Sequence, residues 1–136
     1  MTASPVRLWL ARAAIGVVFF FNIECALAFL WAPQDFAPGF ELQGAAGSAA
    51  VRGMGILFLM WNVPYLLAAW HPNRHRLSLY EALIMQTIGV IGESLLLWSL
   101  NGGHPAVNLS ITRFVAFDAG GLLLLCLAAW ITLEAH

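Results

Sequence analysis

Apolar residues fill four long stretches of this chain, and polar residues gather in the short intervals between them. The stretches run from about Pro5 to Trp31, Ser48 to Trp70, Leu79 to Leu100 and Ser110 to Leu133. Each reaches the ~20 residues that a helix needs to cross a hydrocarbon core of ~30 Å. The pattern predicts an all-α, polytopic membrane protein: one four-helix transmembrane domain over residues 1–136, with short loops.

The intervals carry the chemistry of helix ends. Ser4 is placed to cap the first helix, and Pro5 suits a first helical position. Trp31-Ala32-Pro33 ends that helix, and residues 32–47, with Pro33, Asp35, Pro38, Gly39, Glu41 and Gly44, are expected to form a loop. Pro64 removes a backbone donor inside the second helix and should bend it. Residues 71–76, His-Pro-Asn-Arg-His-Arg, make a tight polar turn. Ser78 and Glu81 have the S-x-x-E spacing of a capping box, which predicts a helix start at Leu79. Asn101-Gly102-Gly103-His104-Pro105 breaks the third helix, and Asn108 or Ser110 is expected to cap the fourth. Asn108-Leu109-Ser110 also spells a glycosylation sequon, a short and unspecific match. A cleavable signal peptide competes for the first stretch, with Arg7 and Arg12 as its basic end and Ala26-Leu27-Ala28 as a cleavage signal. The long apolar run containing Asn22 and Glu24 favours a retained helix.

Composition agrees with this pattern. Hydrophobic residues make up 61% and charged residues 10%, against about 25% charged in soluble domains, so a soluble class is excluded. The net charge of −1 predicts no basic surface for nucleic acid or anionic lipid. Cys25 and Cys126 lie in the first and last stretches without a C-x-x-C, and read as small buried apolar residues. Lysine is absent. Arg7, Arg12, Arg74 and Arg76 cluster at one end of the bundle, which predicts cytoplasmic termini and a cytoplasmic second loop. The six tryptophans fall mostly near span ends, as in an aromatic belt.

The remaining charges form a layer. At a rise of ~1.5 Å per residue, Glu24 and Glu93 lie ~10 Å from the outer ends of their spans, Asp118 ~12 Å, and Arg52 and Arg113 ~5–6 Å. These five residues are the candidate ligand- or ion-binding set. Unpaired charges at such depth are costly, so they should face one another or a wet cavity. Ala13, Gly16, Phe20 and Glu24 share one helical face, as do Ala82, Gln86, Gly89 and Glu93, and as do Arg52, Gly55 and Leu59. All three stripes are expected to point inward. Arg113 and Asp118 lie ~140° apart around their helix, so Arg113 is expected to snorkel outward. Three acids against two arginines leave one acid needing a proton, a hydrogen bond or a cation. His104 would add a titratable group near the layer or simply be solvated. Asn62 and Gln86 share a deeper level, ~21 Å down, and are expected to bond each other or line an inner polar path. Arg12 and Glu81 are placed to pair at the cytoplasmic edge.

Three functions fit this layer. It binds a proton, a cation or a small polar ligand, with transport in view; or it is an ion-paired network in a non-catalytic subunit, scaffold or homo-oligomer; or it belongs to a small quinone-linked enzyme. The chain has no phosphate-binding loop, H-E-x-x-H, G-x-S-x-G or His/Cys cluster, which leans against an enzyme. The sequence identifies no cofactor and no metal.

In plan, the chain resembles the small four-helix DoxX-like and BphX-like bacterial membrane proteins. The resemblance rests on Arg12 and Gly16 in the first helix, Pro33 and Phe36 in the first loop, Arg52-Gly53-Met54-Gly55 opening the second helix, and the Pro72–Arg76 connection. It implies a bacterial inner-membrane location, and some members resemble subunits of quinone-linked oxidoreductases. It supplies no catalytic residue.

Overall fold

The computed structural model describes residues 4–133. Four long helices, α1 (Pro5–Trp31), α3 (Gly44–Trp70), α4 (Arg76–Ser99) and α5 (Pro105–Leu133), are joined by short connections. The first connection holds a one-turn helix, α2 (Pro33–Phe36), and a 3-10 turn (Ala37–Phe40). α1 packs on α3 and α5, and α4 packs on the same two helices from the other side. The short connections make neighbours antiparallel, so the chain winds around a four-cornered bundle.

The four long helices are each long and apolar enough to cross a membrane. Their outer surface is also that of a membrane protein. Large apolar side chains point away from the bundle all round it, with Trp98 80%, Leu123 73% and Ile88 64% exposed. Continuous apolar surface of this kind is unfavourable in water and at home among acyl chains.

Helix starts fall earlier than the polarity pattern implied. Ser4 does cap α1, its side chain accepting from the Arg7 amide at 3.4 Å. α3 begins at Gly44, not Ser48, because the Ala-rich segment 45–50 is weakly hydrophobic yet strongly helix-forming. Residues 33–40, expected as loop, are helical turns ended by Glu41 in a left-handed conformation (φ 56°). α4 begins at Arg76 with His75 at its N-cap, so Ser78 is a buried residue of the first turn and caps nothing. α5 begins at Pro105, and its first bond runs from the Asn108 amide to the His104 carbonyl at 2.8 Å. Neither Asn108 nor Ser110 caps it; the Ser110 hydroxyl instead donates to the Gly39 carbonyl at 2.7 Å. α3 runs unbroken through Pro64.

Two cores fill the interior. Toward the end that carries the α3–α4 turn, Ala11, Ile15, Val18, Tyr65, Ala68, Ala82 and Leu125 pack together. Toward the other end, Phe29 and Val51 pack with Phe40, Phe58 and Phe114. Phe29 has ring contacts with Phe36, Phe40, Phe58 and Phe114 at centroid distances of 5.0–6.2 Å. α2 and the 3-10 turn close this aromatic end. Their seat is held by the Ser110–Gly39 bond and by the Glu41–His104 ion pair at 2.6 Å.

Candidate functional site

The five-residue layer does not assemble. Glu24, Arg52 and Arg113 are exposed on the outside of the bundle, and Glu93 and Asp118 are partly buried at the α4–α5 seam. The stripe Ala13, Gly16, Phe20 and Glu24 faces outward, whereas Ala11, Ala14, Ile15 and Val18 form the inward face of α1. The reason is that α1 is apolar on every side, so its polarity pattern carries little information about which face is buried. On α3, Gly55 is buried as expected but Arg52 is exposed. The stripe Ala82, Gln86, Gly89 and Glu93 does face inward.

Phe21 meets Phe117 edge-on at 5.2 Å across antiparallel α1 and α5. No ion pair joins Glu24 to either arginine; among the described residues the one side-chain ion pair is Glu41–His104. His104 is therefore neither part of the membrane layer nor merely solvated.

What the bundle does assemble is a buried polar chain across α3, α4 and α5. The Tyr65 hydroxyl donates to Gln86 Oε1 at 2.6 Å and lies 3.2 Å from the Ala82 carbonyl. Gln86 Nε2 donates to Asp118 Oδ1 and to the Asp118 backbone carbonyl, both at 3.1 Å. Gln86 and Tyr65 are 4% and 3% exposed, so these bonds form away from solvent. Glu93 Oε2 is buried and has no hydrogen-bond partner.

Two glycines make the room. A Cβ on Gly121 would stand 2.7 Å from Gln86 Nε2, and one on Gly89 would run into the Asp118 carboxylate. The bare Cα atoms let α4 and α5 approach and leave the space that the polar side chains fill.

Asn62 does not join this chain. Its Nδ2 donates back to the Phe58 carbonyl at 2.6 Å, and its buried Oδ1 has no partner, so the expected Asn62–Gln86 bond is absent. Arg12 is not paired with Glu81 either. Its Nε donates to the Ala69 carbonyl at 3.1 Å and its guanidinium lies 4.3 Å from the Trp9 ring centroid, while Glu81 is exposed. Cys25 is partly buried beside the aromatic core, but Cys126 is exposed on α5 rather than buried. Tyr65 was the member of the chain missed from sequence. Its spacing of three from Asn62 placed it on the same helical face, and its hydroxyl required a partner once buried.

No group of three or more His, Cys, Asp or Glu side chains among the described residues is arranged to hold a metal ion. The site's chemistry is that of two carboxyl groups in a low-polarity seam, one supported by an amide and the other with a free buried oxygen. Comparison of the chain with models of known families, with curated proteins and with solved structures finds no match.

Proposed function

We propose that this is an integral membrane protein whose α4–α5 seam binds a proton or a small cation between Glu93 and Asp118. The supporting observation is the unpartnered, buried Glu93 Oε2, one helical turn from the Gly89 against which the Gln86-held Asp118 carboxylate rests. Two ionised carboxylates in such a seam repel and lose hydration, and no cationic side chain compensates them. A proton or cation shared between them removes that cost and completes the oxygen's bonding. Tyr65 and Gln86 are positioning residues here: they orient Asp118 through a fixed chain of hydrogen bonds. The proposal keeps both termini in the cytoplasm and the bacterial inner membrane as location, in line with the arginine distribution and the DoxX-like plan. Transport is the wider reading, with the polar chain extending the seam toward the interior of the bundle.

Unfolding of the purified protein, titrated with protons and separately with Na⁺ and K⁺, tests the proposal. A ligand that binds only the folded state adds about 1.4 kcal/mol of stability per tenfold excess over its Kd. The wild type should gain stability with one of these ions, and Glu93→Gln and Asp118→Asn should lose that gain while remaining folded. Parallel curves for all three proteins would overturn the proposal.

A second reading, a subunit or scaffold that joins a partner in the membrane, draws on a different observation. Glu24, Arg52 and Arg113 are exposed and have no ion-pair partner among the described residues. Charges on a lipid-facing surface gain most from an oppositely charged neighbour, such as a second copy or a larger complex. Mass measurement after gentle extraction decides it: a complex that dissociates on Glu24→Gln supports this reading, and a monomer at every protein concentration contradicts it.

A further inference from the structure

Two open surface clefts, each about 280 Å³, lie at opposite ends of the bundle and differ in chemistry. The one beside α2 is lined by Gln34, Ala37, Pro38, Leu42, Gln43, Gly44 and Ser48 and carries no charge. The one at the α3–α4 turn is lined by Leu67, Trp70, His71, Arg74 and His75. We propose that this second cleft binds the phosphate of an anionic phospholipid, with Arg74, His71 and His75 around the headgroup and Leu67 and Trp70 along the start of its acyl chains.

Three independent features support this. The first is the division of the cleft. Leu67 and Trp70 belong to the last turn of a membrane-spanning helix, and Trp70 is 70% exposed, as an interfacial anchor is. His71, Arg74 and His75 follow in the polar turn, so an apolar wall and a polar wall carrying the Arg74 charge meet at the membrane surface. The second is the state of the polar groups. Among the described residues, Arg74 is exposed and has no ion-pair partner, and His71 Nδ1 is buried with no hydrogen-bond partner. The third is the surrounding charge. Arg7, Arg12 and Arg76 lie at the same end, and Glu81, on α4 beyond the turn, is exposed and forms no ion pair with Arg74 among the described residues. Arg12 is already engaged with Trp9 and the Ala69 carbonyl, which leaves Arg74 as the arginine of the cleft. Basic recesses between membrane helices favour phosphate headgroups, each arginine near the surface contributing about fivefold in affinity.

The test measures binding of short-chain phosphatidylglycerol to the detergent-solubilised full chain, with short-chain phosphatidylcholine and inorganic phosphate as the comparison probes. Phosphatidylglycerol should bind at one site and more tightly than phosphatidylcholine. Arg74→Gln should weaken it by about fivefold, and Arg7→Gln, at the same end but outside the cleft, by much less. Equal binding of the two lipids would overturn the proposal. An equal loss with Arg7→Gln would replace the cleft by diffuse surface charge. Full displacement by inorganic phosphate at the same concentration would reassign the cleft to the free ion.

Discussion

Gly121 and Gly89 show how much of the site depends on atoms that are not there. The α4–α5 seam is close because neither residue carries a Cβ, and the space left is occupied by Gln86 and the Asp118 carboxylate. Gly121→Ala is therefore expected to cost about 1–3 kcal/mol, the usual range for overpacking. Gly16 has no atom within 4 Å of a built Cβ, so Gly16→Ala should be neutral or slightly stabilising. Denaturant unfolding in mixed micelles compares the two, and an equal effect would contradict the close-approach account. Tyr65→Phe removes a donor to Gln86 and should cost about 0.5–1.5 kcal/mol, measured in the same way. At this scale the sequence was informative where a helix had a clear polar face, and Gln86 and Glu93 fell where expected. Glu24 did not, because on an almost uniformly apolar helix a single acid is compatible with either side.

At the level of elements, helix existence was legible and helix starts were not. Length and hydropathy mark four spans, but Gly44–Ala50 is too weakly hydrophobic to be counted with a span and too good a helix former to remain a loop. A similar competition misplaced the start of α4, where the turn bonds from the Arg74 and His75 amides to the His71 carbonyl set the boundary ahead of the S-x-x-E motif. The α1–α3 seam has its own close approach at Gly55, where a Cβ would stand 2.9 Å from the Ala26 carbonyl oxygen. Gly55→Val should force these helices apart and destabilise the bundle by about 1–3 kcal/mol, detectable as a lower unfolding midpoint. The Glu41–His104 pair holds the α2 connection against α5, but both partners are substantially exposed. His104→Gln is expected to change stability by no more than about 1 kcal/mol, with the difference shrinking at high salt. A larger, salt-independent loss would mean that the pair organises the cap.

For the whole molecule, scarcity of charge made each ionisable residue a specific expectation, and the structure divides them into two groups. Glu24, Arg52 and Arg113 face outward, while Asp118 and Glu93 share the seam. Depth along the helices was counted from expected span ends, and the earlier starts of α3 at Gly44 and α5 at Pro105 move the origin of that count for Arg52 and Arg113. Rotation about each helix depends on packing by Val18, Phe29, Gly55 and Gly121, which no count along the chain conveys. The central claim is that Glu93 and Asp118 together hold one proton or one small cation. Infrared spectra of the protein in lipid, recorded as pH and Na⁺ are varied, test it most directly through the carbonyl band of a protonated carboxylic acid. The account predicts one such band or a cation-sensitive carboxylate signal in the wild type, altered by both Glu93→Gln and Asp118→Asn and unchanged by Glu24→Gln. A wild-type spectrum with neither signal, or one whose only responsive carboxyl is Glu24, would contradict it.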